Sequence, residues 1–212
     1  MQYKYLVKSR LVQLITFVWL AAIVAAISFL FWQSELRYSL PTPIPKNYHA
    51  VKQGDTIAIN YEARFKNTKP LFLHFFNPAC PCSRFNIPYF KALAKKYNSE
   101  INFAIVVQSN DTTYTEKDIQ EKFGIALPVL FNKNLAVLCG VYSTPQAVLI
   151  NTDHTLYYRG NYNKSRYCSD PNSNYAQQAI ASLLTHQFKF SINETALKSY
   201  GCQLPNCTNQ KL

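Results

Sequence analysis

The chain has 212 residues, of which 48% are hydrophobic and 15% are aromatic. This composition argues against a wholly disordered protein, and the length allows one domain of ordinary size plus an anchor. The formal net charge is +11, but the basic residues are spread along the chain without a Lys/Arg-rich run. That distribution argues against nucleic-acid binding and favours a basic surface near anionic lipid.

The first predicted element is a membrane-spanning helix. Residues 11–32 carry no charged side chain, and a run of this length can cross a bilayer. It is longer than the apolar part of a usual cleavable signal peptide, so we expect an uncleaved signal anchor. The basic side chains of Lys4, Lys8 and Arg10 precede it. They predict that residues 1–10 lie in the cytoplasm of a bacterium, at its inner membrane, with the rest in the periplasm.

A linker with a short arm is predicted next, over residues 33–67. The alternating prolines Pro41, Pro43 and Pro45 favour an extended spacer that holds the domain off the membrane. Residues 56–61 are expected to form a short strand or arm.

Strands and helices then alternate. Short apolar runs predict buried strands at 71–76, 101–107 and 128–131, and a hairpin at 146–150 and 155–159. Helical patterns cover 82–97 (with Pro88 inside), 115–124 and 174–184. This order predicts an α/β domain with a mixed sheet flanked by helices over residues 68–185. A tail follows at 186–212.

Six cysteines are present, and an even number in an oxidising compartment suggests disulfides. Cys202 and Cys207 lie close together in the tail, so a local structural disulfide between them is expected. The pairs of Cys-x-x-Cys motifs typical of a structural zinc site are missing.

The segment Cys80-Pro81-Cys82 follows an apolar strand and opens a helix. A cysteine at a helix N-terminus meets unpaired N–H groups and the positive end of the helix dipole, which favour the thiolate. Arg84 in the first turn adds a positive charge. Cys80 is therefore predicted to be an activated nucleophile, with a small buried residue as the alternative.

Cys82 has three candidate roles: resolving thiol, metal co-ligand or core residue. Side chains two residues apart on a helix point about 200° apart. A Cys80–Cys82 disulfide would therefore need non-helical backbone at the turn.

Several motifs resemble the thioredoxin-like superfamily, nearest the membrane-anchored thiol-disulfide oxidoreductases of the TlpA/ResA type. They are the strand–turn–Cys–helix with Pro88, the segment 123–130, the segment 138–145 and the continuation through residue 160. The run Cys-Pro-Cys-Ser-Arg-Phe-Asn also resembles a bacterial subfamily of unassigned function. The resemblance implies a thioredoxin-like fold in which Pro145 is cis and faces Cys80, and in which Thr144 and Pro145 dock the partner's backbone.

The chain departs from this family at two positions of the resemblance. The second family cysteine matches Ser83, and the buried family acid matches His74. A neutral imidazole at His74 could accept the proton of an attacking or leaving thiol, or it could be a core histidine. The loop ending at Cys168 returns towards Cys80 in this fold. Cys168 could resolve Cys80 from there, pair with Cys139 or remain a thiol.

These features predict a membrane-anchored, extracytoplasmic thiol–disulfide exchange protein. Cys80 attacks, Cys82 or Cys168 resolves, the partners are protein thiols or disulfides, and neither a soluble cofactor nor a metal is required. Three alternatives stay open at this point. They are a Cu(I)-binding or copper-delivery module that uses Cys80 and Cys82, a thiol peroxidase and a non-catalytic adaptor.

Overall fold

The computed structural model describes residues 2–59, 65, 68–165, 167–185 and 193–204, with side chains from residue 10 onward. Contacts divide the chain into two compact units, residues 1–39 and residues 40–212. Each unit is described by itself.

The N-terminal unit is helical. Helix α1 (Gln2–Phe31) is followed by one π-helical turn (Trp32–Leu36) and by α2 (Arg37–Ser39). The stretch Arg10–Ser39 has a mean hydropathy of 2.6 and is long and apolar enough to cross a membrane, by length and composition alone. The helix therefore continues beyond the predicted span of 11–32.

The described residues of the second unit form a five-stranded mixed sheet and a two-stranded sheet. Their strands are β1 (Leu71–Phe76), β2 (Asn102–Val107), β3 (Val129–Leu130), β4 (Ser143–Thr144), β5 (Gln146–Ile150), β6 (Leu156–Gly160) and β7 (Cys202–Gln203). The larger sheet has the order β3-β2-β1-β5-β6, and β4 pairs with β7. Strands β1, β2 and β3 are parallel, whereas β5 and β6 run antiparallel. The predicted mixed sheet is confirmed.

The helices of this unit are α3 (Pro81–Tyr97), α4 (Glu116–Phe123), α5 (Asn134–Leu138), α6 (Tyr175–Leu184) and α7 (Glu194–Leu197). Thr115 and Asp118 form a capping box at the start of α4, and Gly124 ends that helix with a φ of 59°. The three predicted helices are confirmed, whereas α5 and α7 are too short to be read from the sequence pattern.

The sheet is packed on both faces, and β1 shows how. Its residues Phe72 and Phe76 belong to the core that α3 and α6 complete, whereas Leu73 and Phe75 belong to a second core beyond the sheet. Because side chains of a strand alternate between faces, these two cores lie on opposite faces. A strand buried on both faces reads as a continuous apolar run, which is why β1 is recognisable in the sequence.

The segment before the domain differs from the extended spacer that the prolines predict. Pro41 forms a β-bridge with Tyr200, and the Thr42 amide donates to the Ser199 carbonyl at 2.7 Å. These backbone groups gain partners on the domain, so the segment lies against it. Part of the predicted arm, residues 60–61, lies outside the described residues.

Candidate active site

A short turn places Cys80 between β1 and α3. The Cys80 amide donates to the Asn77 carbonyl at 3.0 Å, and the Ala79 amide donates to Asn77 Oδ1 at 2.9 Å. The Asn77 amide in turn donates to Ser83 Oγ at 3.2 Å. Cys80 is the N-cap of α3, with φ −83° and ψ 122°, and Pro81 is the first helical residue. Its sulfur therefore lies at the N-terminus of a 17-residue helix, where a thiolate is stabilised.

The extended backbone of Cys80 brings the two sulfurs of the Cys-Pro-Cys motif together. The Sγ atoms of Cys80, Cys82 and Cys202 all lie within 4.8 Å of one another, and all three residues are buried. The divergence expected for helical residues two apart does not apply, because Cys80 is outside the helix. We call these three residues the sulfur cluster.

Cys80 is joined to Cys202 by a disulfide, with a Cα–Cα distance of 6.6 Å across 122 residues of sequence. Strand β7 brings Cys202 there, because it pairs antiparallel with β4 and sets Cys202 opposite Thr144. Thr144 precedes Pro145 through a cis peptide bond. The cis proline implied by the resemblance is confirmed.

The local disulfide expected between Cys202 and Cys207 is not the one formed by Cys202. A sulfur takes part in one disulfide at a time, and the β4–β7 pairing carries Cys202 to Cys80. Cys207 lies outside the described residues. The short spacing of the two tail cysteines suggested a local link, whereas the actual partner is set by a tertiary contact that spacing does not encode.

Cys168 lies beside α3, one turn beyond Cys82. Its pKa is raised to about 12 by burial, and the side chain of Asn86 partly offsets this. Asn86 is four residues after Cys82, so both are on the same face of the helix. Among the described residues, Cys168 is outside the sulfur cluster. The structure thus places this predicted resolving thiol near the site, but as a protonated and weakly nucleophilic group.

Cys139 is remote from Cys168. It is buried in the core on the opposite face of the sheet, and burial raises the pKa of its thiol to about 12. Cys168 packs against the core beside α3. A disulfide between these two cysteines, one of the sequence-based alternatives, is not formed, because the sheet separates them.

His74 is fully buried beneath α3. Its ring stacks on Phe90, with centroids 4.4 Å apart, and its Nδ1 shares a hydrogen bond of 2.7 Å with the Tyr162 hydroxyl. Burial lowers the pKa of His74 to about 3. The imidazole is therefore neutral at physiological pH, as predicted, but its affinity for a proton is low. Its role as a proton acceptor stays a prediction that this pKa does not favour.

The predicted docking residues Thr144 and Pro145 do lie at the disulfide. Both are buried, and the backbone edge of β4 is already paired with β7. The surface expected to receive a partner is thus occupied by the chain's own C-terminal strand. Sequence reasoning missed this role of Cys202 and Gly201, and their one available signal was a Gly-Cys pair in a tail rich in polar residues.

The fold and the cysteine site define a thioredoxin-like protein of the ResA type. The chain belongs to the family described as a domain of unknown function, DUF6436, whose model matches residues 50–204. This match begins before and ends after the predicted domain limits of 68 and 185.

One curated relative is a thiol-disulfide oxidoreductase ResA from Halalkalibacterium halodurans. It is 27% identical over 101 residues, which are 47% of this chain and 55% of that protein. The chain thus spans about half the length of this relative.

Three solved structures share the fold at low sequence identity. A hypothetical protein from Sinorhizobium meliloti 1021 has a TM-score of 0.59 at 17% identity, covering 74% of this chain and 96% of that one. An uncharacterized conserved protein from Geobacillus kaustophilus has a TM-score of 0.57 at 18% identity, covering 76% and 96%. A putative thiol:disulfide interchange protein DsbE from Chlorobium tepidum has a TM-score of 0.52 at 18% identity, covering 64% and 99%.

Proposed function

We propose that this protein is a membrane-anchored thiol–disulfide exchange protein in which Cys80 is the nucleophile and Cys202 its disulfide partner. The observation that carries the proposal is the Cys80–Cys202 disulfide at the N-terminus of α3, beside the cis peptide bond of Pro145. The likeness to ResA, a thiol-disulfide oxidoreductase by name, supports it.

In the reducing direction, the Cys80 thiolate attacks one sulfur of a partner's disulfide and the other partner sulfur leaves as a thiolate. The Cys202 thiolate then attacks the Cys80 sulfur of this mixed disulfide and releases the partner's second cysteine. Two electrons pass from Cys80 and Cys202 to the partner, two protons are transferred to the partner's sulfurs, and the disulfide seen in the structure remains. The reverse sequence oxidises a partner dithiol.

Cys82 is a second resolving thiol in this proposal. Its sulfur is within 4.8 Å of both sulfurs of the disulfide, so it can attack Cys80 and release Cys202 without a change in the total number of disulfides. Cys168 is less suited to this step, because its raised pKa keeps it protonated at neutral pH.

The apolar helix and the basic residues before it support an inner-membrane location with the N-terminus in the cytoplasm and the domain in the periplasm. A disulfide persists in an oxidising compartment of this kind. The partners would be protein thiols and disulfides.

Reduction of insulin disulfides by full-length protein in detergent, with dithiothreitol as the electron source, tests the proposal. Cys80→Ser should abolish turnover above the dithiothreitol background. Cys139→Ser is the matched control and should keep it, since Cys139 is buried in the other core. Normal turnover by Cys80→Ser would refute the proposed function.

The sulfur cluster favours one second candidate, a Cu(I) site. Three thiolates within 4.8 Å are soft ligands with the spacing that a three-coordinate Cu(I) ion needs. Because Cys80 and Cys202 are joined in the structure, only the reduced protein could bind the ion. Competition with a chromophoric Cu(I) chelator tests this: reduced protein should take up one Cu(I), whereas Cys82→Ser and the oxidised protein should not.

A further inference from the structure

The C-terminal strand at the site is held by more than its disulfide. We call residues 199–204 the docked strand. The Ser143 hydroxyl donates to the Tyr200 carbonyl at 3.0 Å, and the Leu204 amide donates to the Tyr142 carbonyl at 3.0 Å. Between these contacts, β7 pairs with β4. The docked strand therefore has backbone hydrogen bonds that do not depend on the sulfur–sulfur bond.

Gly201 sets how closely the docked strand can approach. Its φ is +111°, and a Cβ there would collide with the Thr144 carbonyl oxygen and lie 3.4 Å from Pro145 Cδ. A side chain at this position would be strained by the backbone and excluded by its neighbours. The residue immediately before the bonded cysteine must therefore be glycine for the strand to lie where it does.

Leu204 gives the docked strand an apolar contact two residues after Cys202. It packs against the core on the far face of the sheet and lines a surface cavity of about 290 Å³ with Tyr48 and Tyr142. Residues two apart on a strand share a face. Cys202 and Leu204 thus face the domain together, one at the Cys80 sulfur and one at this cavity.

The docked strand also closes the site. Cys80 has no exposed surface, whereas Cys202 is 9% exposed. A partner's disulfide cannot reach the Cys80 sulfur while the strand is in place, and the edge of β4 that faces the sulfur has its hydrogen bonds taken by β7.

We propose that the docked strand is a tethered substrate mimic. It occupies the edge on which a cysteine-bearing strand of a partner protein binds, and it must leave before Cys80 can react with that partner. This inference rests on the proposed exchange function and names its substrate class. The partner segment is extended, has glycine immediately before its cysteine, and has an apolar residue two positions after it.

The exchange then proceeds in two balanced steps. With the strand released and all three cluster sulfurs reduced, Cys80 attacks the partner's cystine and expels one partner thiolate. The strand returns, Cys202 attacks the Cys80 sulfur, and the partner's second cysteine leaves as a thiolate. Because the tether keeps Cys202 at a high effective concentration, weakly docked partners are displaced at once.

Alkylation of Cys80 in the reduced full-length protein measures release of the docked strand without any turnover. In detergent, protein kept reduced with a phosphine is treated with iodoacetamide, and the labelling of each cysteine is followed by tandem mass spectrometry. Gly201→Ala should raise the labelling rate of Cys80 about tenfold, because alanine does not fit the docked backbone. Leu204→Pro should raise it similarly, because proline removes the donor to Tyr142 without filling the space at Gly201.

Gly54→Ala is the matched control. Gly54 also has a positive φ, of 91°, but nothing lies within 4 Å of a Cβ placed there. It should leave Cys80 labelling at the wild-type rate. If Gly201→Ala does not fold, Leu204→Pro decides the question. Equal Cys80 labelling in wild type and in the folded variants would overturn the inference, whatever the insulin assay shows.

Two peptides test the substrate class. Ser-Tyr-Gly-Cys-Gln-Leu and Ser-Tyr-Ala-Cys-Gln-Leu, each activated as a mixed disulfide with thionitrobenzoate, are added to the reduced Cys202→Ser protein. Release of yellow thionitrobenzoate reports attack by Cys80. The glycine peptide should react about tenfold faster than the alanine peptide, and equal rates for the two would overturn the proposed recognition. No reaction of Cys80 with either peptide would instead count against the exchange function itself.

Discussion

Thr144 lies directly opposite Cys202 in the antiparallel pair of β4 and β7. This register places the Cys202 sulfur on Cys80, beside the cis peptide bond that follows Thr144. The redox pair is thus built from the two ends of the domain, and the adjacent cysteine of the Cys-Pro-Cys motif is the third sulfur of the cluster.

Cys202→Ser should remove the intramolecular disulfide of Cys80 and lower insulin turnover at least tenfold, leaving the slower resolution by Cys82. Adding Ser83→Cys should restore an intramolecular disulfide, because residue 83 is the family position of the second cysteine and its side chain lies in the same turn. Free-thiol counting and the insulin assay measure both effects. Full activity in Cys202→Ser alone would argue against Cys202 as the partner of Cys80.

The pKa of Cys168 gives a prediction about its reactivity. Burial raises this pKa to about 12, with a partial offset from Asn86. In the reduced protein, Cys168 should be labelled by iodoacetamide far more slowly than an ordinary exposed thiol at pH 8, with a rate that still rises above pH 10. Cys168→Ser should change insulin turnover by less than about twofold. A turnover loss as large as that of Cys80→Ser would make Cys168 part of the exchange pathway.

His74 makes stability depend on pH. The folded imidazole has a pKa near 3 because of burial, against an ordinary value of 6.5. Between these values the unfolded chain binds a proton that the folded chain excludes, so stability falls as pH falls through this window. From pH 7 to pH 5 this group should cost about 2 kcal/mol of unfolding free energy. Urea unfolding at both pH values should show the loss in wild type and a smaller loss in His74→Gln.

The hydrogen bond of Tyr162 to His74 should stabilise the fold. Both groups are buried, the bond is 2.7 Å long, and His74 Nε2 has no other described partner. Tyr162→Phe would leave both ring nitrogens of His74 unsatisfied, which should cost about 2 kcal/mol. Urea unfolding at pH 7 measures this. Tyr157→Phe is a control for the loss of a hydroxyl at a partly buried site, where Tyr157 bonds to Ser182, and it should cost less.

Much of the fold could be predicted from the sequence, because its signals are local. The apolar run of β1 and the Thr115 and Gly124 ends of α4 gave these elements nearly to the residue. The position of Cys80 at the start of α3 also followed from its context. These patterns depend on burial and capping within a few residues of the chain.

The completion of the site could not be predicted in the same way. Cys202 joins Cys80 across 122 residues, and β7 is a two-residue strand without a periodic pattern of its own. The geometry of Cys82 was missed because Cys80 was treated as helical, whereas it is an extended N-cap. Both errors come from tertiary or cap geometry that residue spacing does not carry.

A disulfide map of the full-length protein by mass spectrometry tests the central claim most directly. Protein purified without reductant, with its free thiols blocked before digestion, should yield a linked pair of peptides that contain Cys80 and Cys202, and this pair should disappear on reduction. A link of Cys202 to Cys207, or of Cys80 to Cys82 or Cys168, would contradict the account.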